Sequence, residues 1–327
     1  MQTKNYFFQW IRAIAVFAVI CIHISIDESS PGNLTIGMFF KSFVLFPVPL
    51  FFFMSGYFYN PNGNFWKRIQ RLLIPYLLWS LIYLALKGNF DVLSISKALL
   101  LATGAVHLYF LFVLLQITVL LHVLKKSQWS KTILLLLTPF HILALYVFRL
   151  NGVEVLHGIN YHLFTAWIIF YILGIMLRNG QLKIKLNAPV LMALSILCLL
   201  LSVSETFGLY AYTGKLVWSA TQLKFSSMFY AFFIILLIVK LNDAVKIRDS
   251  FITRIGDYSM GIYLLHMMVM IALEKLVNIL GLQCPNSYLL IPYNLLYGLV
   301  VLVISYYCVK VATRILGKKI ARIIGLY

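Results

Sequence analysis

Long apolar runs separated by short polar segments make up this chain from end to end. A helix needs about 20 apolar residues to cross the hydrocarbon core of a bilayer, and about ten runs approach that length. They cover roughly residues 7–26, 37–58, 70–86, 106–124, 132–148, 163–178, 188–204, 224–241, 258–280 and 289–312. The pattern predicts an all-α, polytopic membrane bundle of about ten transmembrane helices, the second of which is kinked by Pro47 and Pro49.

Composition supports this class and excludes others. Hydrophobic residues form 62% of the 327 positions and charged residues only 11%, which is far from the balance of a soluble domain. The net charge of +18 comes from basic residues that stand singly or in small groups between apolar runs, so no nucleic-acid-binding face is expected. The four cysteines lack C-x-x-C spacing, and we predict neither a disulfide framework nor a metal site. With no internal repeat, low-complexity segment or extramembrane domain evident, residues 1–327 are expected to form a single domain.

The distribution of Lys and Arg indicates the orientation. Cytoplasmic loops carry an excess of both residues. If the N-terminus is cytoplasmic, nineteen of them lie in inside segments and seven, including Lys41, in outside segments. We therefore expect both termini to be cytoplasmic. Arg12 interrupts the first run near its start, which favours a retained transmembrane helix over a cleaved signal peptide.

Two ionisable side chains, Arg12 and His23, lie within the first run, FFQWIRAIAVFAVICIHIS (7–25). Eleven residues separate them, which returns to within about 20° of the same helix face and about 16 Å along the axis. Taken singly, Arg12 could reach lipid phosphates and His23 could be hydrogen-bonded near the outer interface. Because ionisable groups at membrane depth usually face a bundle interior, their shared face favours a functional path.

Five short segments occur in an order that is informative. They are Arg12-Ala13-Ile14-Ala15 with His23, PLFFFMSGYFY (49–59), WKRIQRLLIPY (66–76), GAVHLYFL (104–111) and YSMGIYLLH (258–266). Together they resemble the R-x-x-A…H, F-F-x-x-S-G-[FY], R-L-x-x-P, H-L-W-[FY]-L and S-x-G-I-Y-L-x-H motifs of the membrane acyltransferase 3 family. Tyr109 stands where family members commonly have tryptophan. We expect a stand-alone member of the surface-polysaccharide O-acetyltransferase type, without an appended hydrolase-like domain.

The resemblance implies an O-acyltransferase of the bacterial cytoplasmic membrane. Its donor would be cytoplasmic acyl-CoA, with acetyl-CoA expected, and its acceptor a hydroxyl of a surface polysaccharide or lipid-linked precursor on the outer side. No resident cofactor is expected. His23 would act as general base, or alternatively would carry the acyl group itself. Arg12 would bind CoA phosphate or polarise the thioester carbonyl.

Lys67, Arg68 and Arg71 lie where the third run enters from the cytoplasm. They are candidates to bind the CoA phosphates through charge-assisted hydrogen bonds, and Arg71 aligns best with the family motif. The alternative is anchoring to anionic lipid.

Three residues are candidates for supporting roles. His266, about the middle of the ninth run, could orient a group at the active site or make a helix–helix hydrogen bond. His107, near the outer face, could approach His23 or cap a helix end. Asp27 follows His23 by one turn, and could orient its imidazole or be an ordinary loop carboxylate.

Polar and aromatic residues of the outer segments could bind a sugar acceptor or simply mark the membrane interface. They are Arg149, Asn151, Glu154, His157, Asn160, Tyr161, His162, Tyr210, Tyr212 and Trp218. We interpret the two histidines as solvated loop residues. Two other functions remain open: a glycan or small-molecule transporter, against which we see no two-half symmetry, and acyl transfer to an amino-sugar nitrogen or a small metabolite.

Overall fold

A computed structural model describes residues 4–88, 91–124, 130–153, 159–284 and 286–327, and all regular structure in these ranges is helical. The α-helices are α1 (Tyr6–His23), α2 (Pro31–Phe43), α3 (Pro47–Tyr57), α4 (Phe65–Lys87), α5 (Val92–Leu101), α6 (Tyr109–Val123), α7 (Ser130–Leu150), α8 (Ile159–His162), α9 (Ile168–Arg178), α10 (Ala188–Thr213), α11 (Leu216–Ser219), α12 (Phe225–Asn242), α13 (Phe251–Asp257), α14 (Ser259–Leu280) and α15 (Leu290–Ile323). The predicted all-α class is confirmed.

Within the described ranges, nine helical stretches are long and apolar enough to cross a membrane. They correspond to nine of the predicted runs, which confirms a polytopic membrane bundle. The run predicted at 163–178 contains α9, which has only 11 residues and follows a 3₁₀ turn at Phe164–Ala166. At 1.5 Å per residue α9 extends about 16 Å, roughly half a hydrocarbon core. The short helix α5 has no counterpart among the predicted runs.

The kink predicted in the second run is a complete break between α2 and α3. Pro47 has no N–H, so it cannot donate to the carbonyl of Phe43 four residues earlier. The hydroxyl of Tyr230 in α12 donates to that carbonyl instead, at 3.0 Å. A side chain thus satisfies the backbone group that the proline frees, as membrane interiors require.

Two compact units make up the fold, and each combines separate parts of the chain. Unit 1 comprises Met1–Val48, Ile184–Ala321 and Leu326–Tyr327. Within it, α1 packs along α13 and α14, while α10 packs on α12 and α2. Unit 2 comprises Pro49–Lys183 and Arg322–Gly325, and there α4 packs on α5 and α6 while α7 packs on α9.

Glycines allow two close helix crossings that position the candidate site residues. In unit 1, a Cβ on Gly256 of α13 would overlap the Gln9 carbonyl of α1. In unit 2, a Cβ on Gly56 of α3 would overlap the Tyr171 carbonyl of α9, and one on Gly174 would overlap the backbone of α3. Small residues permit such close backbone packing of membrane helices, where dispersion and hydrogen bonding replace the hydrophobic effect.

Candidate active site

Two histidines from separate helices meet in unit 1. His23 is the last residue of α1 and His266 lies in the first half of α14. Their ring centroids are 5.2 Å apart and the rings are inclined by 44°. His266 is fully buried and His23 is half-buried. The sequence named both residues for separate reasons, whereas the structure brings them together.

A backbone hydrogen bond fixes the orientation of His266. Its Nδ1 lies 2.7 Å from the carbonyl oxygen of Tyr263, three residues earlier in α14. Because a carbonyl can only accept, Nδ1 carries the hydrogen, and in a neutral imidazole the lone pair is then on Nε2. A ring whose orientation and tautomer are both set is suited to a proton-transfer role.

Arg12 occupies the same unbroken helix as His23. α1 is continuous from Tyr6 to His23, so the rise between the two residues is about 16 Å, as the sequence predicted. The half-buried guanidinium donates a hydrogen bond to Gln9 Oε1 at 3.3 Å. The carboxylate of Asp257, at the end of α13, attracts the same guanidinium electrostatically. Asp257 also pairs with Lys4 at 2.6 Å, which ties the start of α1 to α13. Asp257 was not among the sequence candidates.

Lys41 is a second residue that the sequence reasoning missed. It lies in the last turn of α2, and its ammonium donates to the carbonyl of Ile22 and, at 3.3 Å, to that of Ile24. These carbonyls flank His23 in the chain. The sequence did contain a signal for Lys41: the residue lies within the apolar run 37–58, and a lysine inside such a run often has a function.

Asp27 is engaged in the loop that follows α1. One carboxylate oxygen accepts from the Ser29 N–H at 2.8 Å and the other from Asn33 Nδ2 at 2.6 Å. The Ser29 hydrogen bond is the main cause of a pKa below the ordinary aspartate value. Both carboxylate oxygens therefore have hydrogen-bond partners close in the chain, and a role of Asp27 in orienting His23 stays a prediction.

In unit 2, the three basic residues predicted to bind CoA lie at the start of α4. Asn64 caps this helix by accepting from the Lys67 N–H at 2.9 Å. Arg68 donates to the Asn60 carbonyl at 2.6 Å, and its guanidinium lies 4.3 Å above the ring of Tyr59. Lys67 and Arg71 are exposed. Arg68 is therefore held in place, while the other two side chains are available to an anion.

Arg178 joins these residues from the end of α9. Its guanidinium lies 5.6 Å from the ring centroid of Tyr57. Tyr57 is two residues before Tyr59, whose ring lies beneath the Arg68 guanidinium. The crossing at Gly56 and Gly174 makes this approach possible. We call Lys67, Arg68, Arg71 and Arg178 the basic cluster. Its sequence position had indicated no role for Arg178 beyond a positive charge in a segment assigned to the cytoplasm.

His107 is a buried residue of unit 2. It lies in the 3₁₀ turn Val106–Leu108, is 1% exposed, and its ring meets the ring of Tyr83 edge-on at 5.1 Å. Its suggested approach to His23 stays a prediction.

The outer residues considered for acceptor binding are more enclosed than expected. Arg149 and Trp218 are buried, and Tyr161 lies 5.8 Å from the ring of Tyr109. His162 is half-buried rather than solvated, and burial lowers the pKa of its imidazole. Among the described members of this set, Tyr212 and Asn151 are exposed while Tyr210 and Asn160 are half-buried. Glu154 and His157 lie outside the described residues.

These features define a class: a multi-pass helical membrane protein with a pair of histidines in one unit and a basic cluster in the other. Residues 5–310 match the family model described as an acyltransferase domain, which spans nearly the whole chain. The chain belongs to the acyltransferase 3 family and is a membrane acyltransferase. No curated protein and no solved structure gives a significant match.

Proposed function

We propose that this protein transfers an acyl group, with acetyl expected, from cytoplasmic acyl-CoA to a hydroxyl of a surface polysaccharide or its lipid-linked precursor. The observation that supports this most is the pairing of His23 with His266, 5.2 Å apart between ring centroids. The membrane would be the bacterial cytoplasmic membrane, with both termini inside and the acceptor outside. In this orientation His23 lies towards the outer face and Arg12 towards the inner one.

His23 serves as the base in this proposal. An imidazole with an ordinary pKa near 6.5 is mostly neutral at pH 7, so it can take the proton of the acceptor hydroxyl. The hydroxyl oxygen then forms a bond to the thioester carbonyl carbon, the carbon–sulfur bond breaks, and the CoA thiolate takes the proton back from the imidazolium. In the alternative, the imidazole nitrogen attacks the thioester first and the acyl-histidine passes its group to the hydroxyl.

The distance along α1 narrows the role of Arg12. A rise of about 16 Å separates Arg12 from His23, and both side chains lean towards the helix N-terminus. The two groups therefore cannot contact the same carbonyl. We assign Arg12 to the CoA moiety, whose phosphates suit a forked guanidinium, rather than to polarisation of the carbonyl at which His23 acts.

The basic cluster supplies the initial attraction for CoA. CoA carries several negative charges at neutral pH, and exposed Lys67 and Arg71 can reach them beside the anchored Arg68. All four members lie in segments that the positive-inside distribution assigns to the cytoplasm. Binding of anionic lipid to the same residues is the alternative that kinetic measurements separate below.

The test is a His23→Ala variant in cells that make the surface polysaccharide. We expect acyl esters on the polysaccharide, measured by mass spectrometry, to fall below detection while protein level and polysaccharide export stay unchanged. The matched control is His141→Ala, since His141 in α7 is half-buried like His23, and its ring lies 2.9 Å from the Thr165 hydroxyl of the 3₁₀ turn Phe164–Ala166. Continued acylation in the His23 variant would refute the assignment. Loss of surface polysaccharide with accumulation inside the cell would favour a transporter.

The two chemical routes can be separated with the purified protein in lipid nanodiscs. A brief incubation with acetyl-labelled acetyl-CoA, followed by acid-free denaturation and peptide mass spectrometry, would show label on His23 only if the acyl-histidine forms. General-base catalysis leaves His23 unlabelled.

A further inference from the structure

Lys41 makes an unusual contact for a lysine inside an apolar helical stretch. It lies within Pro31–Tyr57, one of the stretches long enough to span a membrane. Rather than reaching a carboxylate, its ammonium donates to the carbonyls of Ile22 and Ile24, on either side of His23. A charged group at membrane depth is costly, so its position calls for a function.

The contact completes the end of α1. The last four carbonyls of an α-helix have no N–H partner within the helix, and a cation there also interacts favourably with the helix dipole. One such carbonyl belongs to Ile22, and the next residue is His23. The ammonium therefore holds the backbone on which the His23 ring is mounted.

α2 is itself held by contacts with α10 and α12. The hydroxyl of Ser42, next to Lys41, lies 3.1 Å from that of Thr206 in α10. The Thr206 hydroxyl also accepts from the fully buried Lys224 ammonium. Together with the bond from Tyr230 to the Phe43 carbonyl, these contacts fix the last turn of α2 against α10 and α12.

We propose that Lys41 is the positioning residue for His23: it transmits the fixed position of α2 to the end of α1, and so sets the approach of the imidazole to His266 and to the acceptor hydroxyl. This inference rests on the proposed function, in which His23 is the base. It assigns Lys41 no contact with substrate. A displacement of about 1 Å at a reacting group can reduce a rate by about 100-fold, so loss of this clamp should be seen mainly in kcat.

The experiment compares Lys41→Met, Lys41→Gln and Lys41→Arg. Methionine keeps the apolar stem and removes every donor, glutamine keeps a neutral donor, and arginine keeps both charge and donors. The matched control is Lys87→Met, because Lys87 in unit 2 makes the same kind of bond, to the Gly104 carbonyl at 2.8 Å. Inverted membrane vesicles from the polysaccharide-producing cells, supplied with radiolabelled acetyl-CoA, give kcat and KM from label incorporated into polymer.

We expect Lys41→Met to lower kcat by about 10- to 100-fold with the KM for acetyl-CoA unchanged. Lys41→Arg should stay within about threefold of wild type because its guanidinium can reach the same carbonyls. Lys41→Gln should fall between them, and Lys87→Met should match wild type. If Lys41 only stabilised the fold, its substitution would lower the amount of active protein, and activity would not rise in the order methionine, glutamine, arginine. Active-site titration through His23 alkylation measures the amount of active protein.

Several outcomes would overturn the inference. They are wild-type kcat in Lys41→Met, a KM effect in place of a kcat effect, or no rescue by arginine. If Lys41→Met does not accumulate, the order of the glutamine and arginine variants decides. Should vesicles with the wild-type protein transfer no more acetyl than vesicles without it, the proposed function fails. Should wild type and His23→Ala transfer acetyl equally, the assignment of His23 as the base fails. Should His23→Ala be inactive and Lys41→Met fully active, the inference about Lys41 alone fails.

Discussion

The histidine pair of unit 1 and the basic cluster of unit 2 differ in how their side chains are held. His266 is 0% exposed and hydrogen-bonded to its own helix, and the backbone of His23 is anchored by Lys41. Lys67 and Arg71 are exposed. Of the three cluster residues in α4, Arg68 is the one whose guanidinium is fixed by a backbone carbonyl and a tyrosine ring. The histidine pair is therefore preorganised, whereas the side chains of Lys67 and Arg71 in the basic cluster can change their conformation.

The difference matches the two tasks that the proposed function assigns to these residues. Proton transfer needs heavy atoms within hydrogen-bond reach and a defined tautomer, so its groups must be buried and braced. Attraction of a polyanion acts over roughly a Debye length of about 10 Å and tolerates mobile side chains, but salt weakens it. Substitutions of the histidine pair should therefore change kcat, and substitutions in the basic cluster should change KM.

After His23→Ala, the largest effect is expected from His266→Ala. Removing this imidazole leaves the His23 ring without its neighbour, and we expect kcat for acetyl transfer to fall by about 100-fold or more with KM for acetyl-CoA unchanged. The assay is label incorporation in inverted vesicles, with His141→Ala as control. A variant that kept half of the wild-type kcat would show that His266 serves only helix packing.

A smaller effect is expected from the double variant Arg68→Gln and Arg71→Gln. Loss of charge-assisted contacts to phosphate should raise the KM for acetyl-CoA by about 10-fold or more, with kcat within about threefold of wild type. The effect should shrink as ionic strength rises, because salt already weakens the wild-type attraction.

The control for the basic cluster removes the same charge elsewhere. Lys246→Gln with Arg248→Gln does this in the exposed segment between α12 and α13, which is also assigned to the cytoplasm. If both double variants raise KM equally, the cluster acts only through net charge. If neither changes KM while membrane insertion suffers, lipid anchoring is the better interpretation.

The smallest effect is expected from Asp27→Asn. The carboxylate accepts hydrogen bonds from Ser29 in the loop and from Asn33 in the first turn of α2, and the amide oxygen of asparagine can still accept from the Ser29 N–H. We expect kcat within about threefold of wild type, far from the loss expected for a catalytic dyad. Because the folded pKa of Asp27 lies below its ordinary value, its contribution to loop order is present above that value and lost as pH falls through the folded pKa. Hydrogen exchange at the Ser29 backbone amide at two pH values measures this.

Features that depend on neighbouring residues were predictable from sequence. The run lengths gave the membrane class, and the continuous α1 gave the spacing of Arg12 and His23. The break at Pro47 was anticipated as a kink because proline removes a defined backbone donor. The shortness of α9 was not, since Phe164–Ala166 forms a 3₁₀ turn within a run whose hydropathy continues unchanged.

Features that depend on packing needed the structure. Gly56 belongs to the F-F-x-x-S-G-[FY] motif, but the sequence does not indicate that it crosses Gly174, and this crossing brings Arg178 to the same end of unit 2 as Arg68. From sequence, Lys41 was one of seven basic residues assigned to the outer side. The structure shows that its ammonium donates to the carbonyls of Ile22 and Ile24, which flank His23.

The sequence by itself determined that this chain is a helical membrane protein with acyltransferase 3 motifs, because apolar run length and helical periodicity are local properties. The sequence also identified His23 and His266 as candidate site residues. Only the tertiary structure decided that His23 and His266 form a pair and that Lys41 holds the end of α1. These contacts join helices far apart in the chain, and their geometry follows from how closely backbones pack at residues such as Gly256, which no local pattern encodes.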